Sequence, residues 1–371
     1  MDKIYLDYNA STPLAPEVVS SMTPLLTEYY GNPSALHWAG KPVKELLQHA
    51  RTQVAELICA SSDEIIFTSG GSEANNLALK GLYFKNRHKG KHIITSKIEH
   101  PAIMNPCRFL EEIGANVTYV GVDKFGKVSV EEIEKAISQE TILISIMHSN
   151  NETGTIQPIQ EIGELARKSG VAFHTDASQS IGKVPVDVNE LKVDLLTIAG
   201  HKLYAPKGIA ALYIREEIEL EPLIHGASHE NGLRAGTENT LLAVGLGTAC
   251  EIAEQHLKSN NIEELTNYFW YRLQAVFGED VVLNGHPVNR LPNTLNVNFV
   301  QKIGQDVLSA IPGLAASTGS ACHAGSVELS PVLKEMGVSE EVGKGAIRFS
   351  LGRFTTKDEI EKVIQWLIEV N

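Results

Sequence analysis

The stretch HIITSKIEHPAIMNPCRFLEEIGANVTYV, residues 92–120, decides the fold class. It sets two short runs of strand-forming residues, HIITS and NVTYV, on either side of a helix-like segment. Going outward, further strand-like runs occur at residues 64–68, 141–147, 171–175 and 193–198. Strands that alternate with helices predict an α/β fold with a mainly parallel sheet covered by helices on both faces. In such sheets ligands bind beyond the carboxyl ends of the strands, so we expect the chemistry in the loops that follow these runs.

The pattern changes in the last third of the chain. Residues 294–300 (TLNVNFV) alternate apolar and polar side chains, and a loop rich in Gly, Ser and Ala follows at 313–326, before a closing strand and helix. This change indicates a second, smaller α+β domain. We predict a large domain of residues 14–250 and a small domain that combines residues 1–13 with residues 251–371.

Composition and charge exclude several classes of protein. The 371 residues are 43% hydrophobic and 21% charged, which is typical of a folded globular protein. A formal net charge of −13 disfavours direct binding to nucleic acid, and no uninterrupted apolar stretch suits a membrane span. The start MDKIYLDYNA lacks the apolar region of a signal peptide, so we expect a cytoplasmic protein. Four widely spaced cysteines without a CxxC pair predict neither a disulfide framework nor a metal site.

Two ionisable residues end neighbouring strand-like runs. Asp176 follows VAFHT and Lys202 follows VDLLTIAGH, so the two side chains are expected in one pocket. The turn SGGSEANN at 69–76 opens a helix and offers free backbone N–H groups to a phosphate. A lysine for the aldehyde, a carboxylate for the pyridine nitrogen and a phosphate-binding turn are what pyridoxal 5'-phosphate requires. The alternatives are a structural salt bridge between Asp176 and Lys202 and a tight turn capped by Ser72.

Three further polar residues have two interpretations each. His100 follows a strand-like run, where it could stack on a cofactor and move protons or simply cap a helix. Asn151 could donate to a cofactor oxygen or serve as a turn residue. Arg348 could anchor a substrate carboxylate through a bidentate contact or pack its stem in the core.

One cysteine differs from the others. Cys322 lies in the small-residue loop ASTGSACHAGS, where we expect an exposed, mobile thiol that can act as a nucleophile. The neighbouring His323 either lowers the pKa of that thiol or points to solvent. Cys59, Cys107 and Cys250 lie in or at the end of helical segments and are expected to be buried structural thiols.

An ordered set of motifs along nearly the whole chain resembles a known family. The motifs are YLDYNASTPL at the start, GNPSALH (31–37), TSGGSEANN (68–76), EHPAI (99–103), NNETG (150–154), DASQSIGK (176–183), GHKLYAPKG (200–208), RAGTEN (234–239), STGSACHAG (317–325) and IRFSLGRFTT (347–356). The sequence resembles the cysteine desulfurases of the NifS/IscS type, the class V aminotransferase branch of the fold-type-I pyridoxal-phosphate enzymes. The resemblance implies a large domain on a mainly parallel seven-stranded sheet, a smaller α+β domain and pyridoxal 5'-phosphate as cofactor.

The resemblance also implies roles around the cofactor ring. Lys202 would be the Schiff-base lysine, and Asp176 the partner of the pyridine nitrogen. Gln179 would donate to the phenolic oxygen of the cofactor. His100 would stack on the ring and act as acid and base, with Asn151 near the ring.

The family pattern implies further roles at the phosphate. Gly71, Ser72 and His201 would hold it, together with Thr237 of a neighbouring subunit, which implies a homodimer. Ala199 stands where many family members have a serine, so one phosphate hydroxyl is expected to be missing.

For the substrate, the resemblance implies that Arg348, with Asn32, holds the carboxylate of L-cysteine, and that Cys322 accepts its sulfur as a persulfide. L-Alanine would be released, and the sulfur would pass to an acceptor protein in iron–sulfur cluster assembly, tRNA thiolation, cofactor synthesis or sulfur modification of DNA. The Cys322-His323 pair is also similar to selenocysteine lyases. A selenocysteine lyase, a class V aminotransferase and a non-catalytic sulfur carrier are the alternatives.

Overall fold

The computed structural model describes nearly all of the chain, and for residues 322, 323, 326 and 327 it describes the backbone alone. The described residues are 2–258, 261–318, 322–323, 326–327 and 329–370. Within these ranges no helix is both long and apolar enough to cross a membrane.

Strands and helices alternate through the first two thirds of the chain. The strands are β1 (Ile4–Tyr5), β2 (Ile65–Thr68), β3 (His92–Ser96), β4 (Asn116–Val120), β5 (Thr141–Ser145), β6 (Ala172–Asp176), β7 (Leu195–Ala199), β8 (Ala210–Ile214), β9 (Val281–Asn284), β10 (Thr294–Phe299), β11 (Leu314–Ala315), β12 (Ser317–Thr318), β13 (Cys322–His323), β14 (Ser326–Val327) and β15 (Ala346–Ser350). The α-helices are α1 (Pro16–Met22), α2 (Gly40–Leu57), α3 (Gly71–Asn76), α4 (Leu82–Asn86), α5 (Pro101–Glu112), α6 (Val130–Ala136), α7 (Ile159–Ser169), α8 (Thr240–Leu257), α9 (Ile262–Phe277), α10 (Gly304–Ser309), α11 (Pro331–Glu335), α12 (Glu340–Gly343) and α13 (Lys357–Val370). A π-helical turn (Leu77–Gly81) joins α3 to α4, and a 3₁₀ turn (Gly200–Lys202) follows β7.

A seven-stranded sheet in the described chain has the order β2-β8-β7-β6-β5-β3-β4. All neighbours are parallel except β8, which runs antiparallel to both β2 and β7. This sheet confirms the predicted α/β class with a mainly parallel sheet. Strands β3, β7 and β8 are buried along their whole length, because helices cover both faces and leave no solvent side that would require polar alternation.

Helices α2 and α8 pack closely against each other beside the large sheet. A Cβ atom at Gly247 would lie only 2.7 Å from the Cα atom of Ala50. Glycine at this position therefore allows the two helices to approach, and a larger residue would push them apart.

The second sheet is antiparallel and has the order β12-β15-β10-β9. Its apolar core contains Phe269 of α9 and Phe349 of β15, whose ring centroids are 5.1 Å apart in an edge-to-face contact. The amino-terminal segment joins this part of the molecule, because β1 pairs with β11 and Asp7 forms a bridge with Ser350. The exact division at residues 14 and 250 stays a prediction.

Local differences from the predicted elements have physical reasons. Strand β6 begins at Ala172 and not at Val171. Gly170 takes a left-handed conformation after the end of α7, and the Val171 N–H still donates to the carbonyl of Ala166 within that helix. Strand β8 was missed in the sequence pattern because its two alanines give a weak strand signal. The long helical stretch predicted around 239–278 consists of two helices, α8 and α9.

Candidate active site

A cavity of about 750 Å³ opens at the carboxyl ends of the strands that precede the polar loops, as the parallel sheet predicts. The residues predicted for the site that line this cavity are Gly71, Ser72, His100, Asn151, Asp176, Gln179, His201, Lys202 and Arg348. Two others, Asn32 and Thr237, do not line it in this chain. The side chain of Cys322 lies outside the described residues.

Lys202 ends the 3₁₀ turn after β7. Its Nζ donates to the backbone carbonyls of Asn9, at 2.6 Å, and Ala10, at 2.9 Å. Burial and then repulsion from Arg348 lower the pKa of Lys202 to about 8, although Asp176 acts in the opposite direction. Lys202 therefore has a larger neutral fraction at pH 7 than an exposed lysine, which suits it to attack an aldehyde.

Asp176 is the last residue of β6, and its carboxylate is held by two donors. Oδ2 accepts from Asn75 Nδ2 at 2.7 Å, and Oδ1 accepts from the Ser178 N–H at 3.0 Å. Because Lys202 contacts carbonyl groups instead of this carboxylate, the pair does not form the structural salt bridge that was the alternative. Asp176 can therefore direct its charge towards a group in the cavity.

His100 caps α5 and also lines the cavity, and its role in stacking on a cofactor and moving protons stays a prediction. Nδ1 accepts a hydrogen bond from the Ala102 N–H at 3.1 Å. A ring nitrogen that accepts this bond carries no proton, which leaves the proton of the neutral ring on Nε2. Burial lowers the pKa of His100, and the charge of Asp176 opposes this shift while that of Lys202 adds to it.

Gln179 is buried at the floor of the cavity. Its Nε2 donates to the carbonyl of Asn9 at 2.9 Å, and its Oε1 accepts from Lys183 Nζ at 2.9 Å. The amide therefore has a fixed orientation.

The turn before α3 forms another wall of the cavity. A Cβ atom built on Gly71 would lie 3.4 Å from the Cβ of Ala199 and 3.5 Å from the hydroxyl of Ser178. The Ser178 hydroxyl thus lies beside the side chain of Ala199, at which the expected phosphate hydroxyl is missing. Burial, with repulsion from nearby cations, lowers the pKa of His201 to about 4, so this ring is neutral at pH 7 and can donate one N–H.

Arg348 has the buried position expected of a core arginine, and its role as an anchor for a substrate carboxylate stays a prediction. It is a buried residue of β15, and its guanidinium reaches the cavity. Its Nη2 donates to Asp7 Oδ1 at 2.7 Å and to Ser317 Oγ at 3.1 Å, and its Nη1 donates to the carbonyl of Asn151 at 2.8 Å. Asp7 therefore orients the guanidinium within the wall.

Three residues predicted for the site are not placed at the cavity by the described side chains: Asn32, Thr237 and Cys322. Asn32 is exposed and its Oδ1 accepts from the Ser34 N–H at 2.8 Å, and Thr237 is also exposed. The backbone of Cys322 pairs with that of Val327, whereas the predicted exposure and mobility of its thiol fall outside the described side chains.

The remaining cysteines confirm the prediction of buried thiols in two cases and correct it in one. Cys107 and Cys250 are buried, and burial raises the pKa of each thiol, that of Cys107 to about 12. Cys59 is exposed, so the prediction that it is buried is wrong. It follows the end of α2 with a φ of 58°, where the chain turns outwards in the position that glycine usually occupies.

Several residues of the site were not predicted from the sequence. Asp7 and Asn9 lie in the amino-terminal motif, Asn75 in the glycine-rich turn and Lys183 at the end of DASQSIGK, but none had been given a role. These residues could have been suspected because polar residues recur in the motifs that follow the strands. Within the described ranges, no group of three or more His, Cys, Asp or Glu side chains is arranged to hold a metal ion.

Comparison with known proteins agrees with this architecture. The chain is 48% identical to cysteine desulfurase IscS of Dictyoglomus turgidum over 98% of its own length and 93% of the relative. The structure of a NifS-like protein superposes with a TM-score of 0.93 at 34% identity, covering 99% of both chains. The structure of SspA in complex with cysteine matches with a TM-score of 0.84 at 41% identity, covering 95% of this chain and 99% of SspA. Because the aminotransferase class-V profile also matches residues 4–363, this chain belongs to the aminotransferase class-V family.

Proposed function

We propose that this chain is a cysteine desulfurase that converts L-cysteine to L-alanine with pyridoxal 5'-phosphate as cofactor. The observation that carries the proposal is the shared cavity, where the amine of Lys202 and the carboxylate of Asp176 are both available and are not paired with each other. Relatives named cysteine desulfurase that match nearly the whole chain support the same reaction.

The residues of the cavity fit the proposed cofactor. Lys202 would bind its aldehyde, Asp176 would face the pyridine nitrogen, and Gln179 would donate to the phenolic oxygen. His100 would cover the ring. The start of α3, with Gly71, Ser72 and the ring of His201, would hold the phosphate, and Asn151 would lie near the ring. Once bound, pyridoxal 5'-phosphate supplies an electron sink that weakens bonds at the α- and β-carbons of an amino acid.

The protein contributes orientation and proton transfer. Arg348 would bind the substrate carboxylate through the Nη1 N–H that its contacts with Asp7, Ser317 and the Asn151 carbonyl leave free, while Asp7 holds the guanidinium in place. Lys202 Nζ, with its lowered pKa, would accept and return the proton at the α-carbon. His100 would hold its proton on Nε2, since Nδ1 accepts from the Ala102 N–H.

Cys322 would carry out the sulfur step. Its thiolate attacks the sulfur of L-cysteine, so that an S–S bond forms and the Cβ–S bond breaks. The electron pair of the broken bond stays with the carbon, which takes up a proton to become the methyl group of L-alanine. The sulfur remains on the enzyme as a Cys322 persulfide, ready for transfer to an acceptor protein.

A homodimer would complete the site. Thr237 and Asn32 are exposed and lie away from the cavity of their own chain, as expected for residues that serve the site of a second copy. Near Asn32 in the sequence, the side chains of Tyr30, Leu36 and Trp38 are more than 70% exposed, at 73%, 85% and 78%. Large apolar groups exposed together favour an interface. We also propose a cytoplasmic enzyme that serves iron–sulfur cluster assembly or another thiolation pathway.

The direct test is a visible spectrum of the purified protein with and without L-cysteine, combined with measurement of alanine, sulfide and protein persulfide. Cys322→Ser should keep the cofactor absorption but form no persulfide. Cys59→Ser is the matched control, because it removes an exposed thiol away from the cavity and should behave as wild type. Full sulfur release by Cys322→Ser would contradict the mechanism.

Other outcomes of the same test would favour the alternatives. Strong activity on selenocysteine that does not need Cys322 would indicate a selenocysteine lyase. The Cys322-His323 pair is similar to that family. Pyridoxamine phosphate formed in one half-reaction would indicate an aminotransferase. Absence of any cofactor absorption would indicate a non-catalytic sulfur carrier.

A further inference from the structure

Lys183 lies four residues after Gln179, in the turn region that follows β6, and it has no role in the proposed mechanism. Its Nζ donates to Gln179 Oε1 and to Asn9 Oδ1, each at 2.9 Å. Both partners are neutral amide oxygens, and no ion pair within the described chain joins Lys183 to a carboxylate. Burying a lysine that contacts only neutral acceptors lowers the stability of the fold, which suggests that Lys183 has a function.

Two contacts set which way the Gln179 amide faces. Lys183 Nζ donates to one atom of the amide, which is therefore Oε1, and the backbone carbonyl of Asn9, which can only accept, lies at Nε2. The amide nitrogen of Gln179 then faces Asn9, to whose carbonyl it donates at 2.9 Å. That bond uses one of the two N–H groups on Nε2, and the second is left for a group in the cavity.

The same lysine also holds Asn9. Asn9 Oδ1 accepts from Lys183 and from Asn293 Nδ2, at 2.9 and 3.1 Å. The backbone carbonyl of Asn9 in turn accepts from Lys202 Nζ at 2.6 Å. Asn9 is 1% exposed, so it has little freedom to find other partners. Lys183 thus contacts two residues that each touch a different functional group of the cavity.

We propose that Lys183 is a positioning residue: it holds the amide of Gln179 with its nitrogen towards the cavity, so that Gln179 donates to an anionic oxygen of the ligand. This inference rests on the proposed function, in which that oxygen is the phenolic oxygen of pyridoxal 5'-phosphate. Without Lys183, only the bond from Nε2 to the Asn9 carbonyl orients the amide, and a rotated amide would present Oε1 to the same ligand oxygen and repel it.

The test is the dissociation constant of pyridoxal 5'-phosphate, measured by absorbance titration of the unloaded protein. Lys183→Met keeps the length of the side chain but removes its donors, and it should weaken binding about tenfold, the effect of one lost hydrogen bond to a charged group. In a Gln179→Leu background the same change should alter binding less than twofold, because there is no amide left to orient. Lys192→Met is the control: it removes a lysine that pairs with Glu164 away from the cavity, and it should leave binding unchanged.

Each result supports or overturns the inference. Unchanged binding in Lys183→Met, or an equal loss in both backgrounds, would overturn it, since an equal loss means that Lys183 does not act through Gln179. If Lys183→Met does not fold, Lys183→Gln takes its place in the same comparison of two backgrounds. Failure of the wild-type protein to bind pyridoxal 5'-phosphate would refute the proposed function itself, whereas normal wild-type binding with no effect of Lys183 would refute only this inference.

Discussion

Lys202 of the unloaded protein is expected to react with amine reagents as a group with a pKa of about 8. An unperturbed lysine has a pKa of 10.5. At pH 7 a pKa of about 8 leaves roughly one amine in ten unprotonated, whereas 10.5 leaves roughly one in three thousand. Burial and repulsion from Arg348 therefore raise the reactive fraction of Lys202 about 300-fold.

The assay is competitive labelling with acetic anhydride between pH 6 and pH 11, read at each lysine by peptide mass spectrometry. A synthetic peptide spanning residues 198–206 provides the reference, because it contains the same lysine without the fold. Limited access to the cavity reduces the absolute rate but not the midpoint of the pH profile. The midpoint for the protein should therefore lie about 2 to 3 pH units below that of the peptide.

We expect two variants to shift the midpoint of the Lys202 profile in opposite directions. Arg348→Met removes a repelling charge and should raise the midpoint of Lys202. Asp176→Asn removes an attracting charge and should lower it, because Asp176 raises the pKa of Lys202. A wild-type midpoint equal to that of the peptide, or shifts of the same sign in both variants, would refute the electrostatic account of this cavity.

Three further predictions follow from the site. Asp176→Asn should keep the cofactor but lose orders of magnitude in alanine formation, because a neutral amide does not stabilise a protonated pyridine nitrogen; near-normal turnover would contradict this. Arg348→Lys should raise KM for L-cysteine about 10- to 100-fold with little change in kcat, since one ammonium group cannot keep the contacts with Asp7 and Asn151 and also bind the carboxylate. In urea unfolding, the stability of the wild type relative to Lys202→Met should rise by about 3 kcal/mol between pH 8 and pH 10.5, where the unfolded lysine is still protonated and the folded one is not.

The sequence predicted the parts of the site that depend on the sheet. Asp176 and Lys202 could be placed in one pocket because the carboxyl ends of parallel strands share an edge. Asn9 and Lys183 could not be placed, since their contacts join residues 174 positions apart in the sequence and depend on the packed tertiary structure. Cys59 was misjudged because an exposed turn after a helix has the same local composition as a buried helix end.

The resemblance to a family added what the strand pattern could not supply. Asn32 and Thr237 were named for the site on that basis alone, yet both lie outside the cavity of their own chain. The homodimer that the resemblance implies, in which a second copy would bring Thr237 to the site, stays a prediction.

The hydrogen-bond partners of the neighbouring charged groups explain why Lys202 can be reactive although the carboxylates of Asp176 and Asp7 lie near it. Asp7 is engaged with Arg348, and Asp176 accepts from Asn75 and the Ser178 N–H. Lys202 is left with backbone carbonyls, which accept a hydrogen bond but carry no full charge. A carboxylate in contact with Lys202 would favour the ammonium form and raise its pKa, so the fold gains a neutral amine by giving the carboxylates other partners.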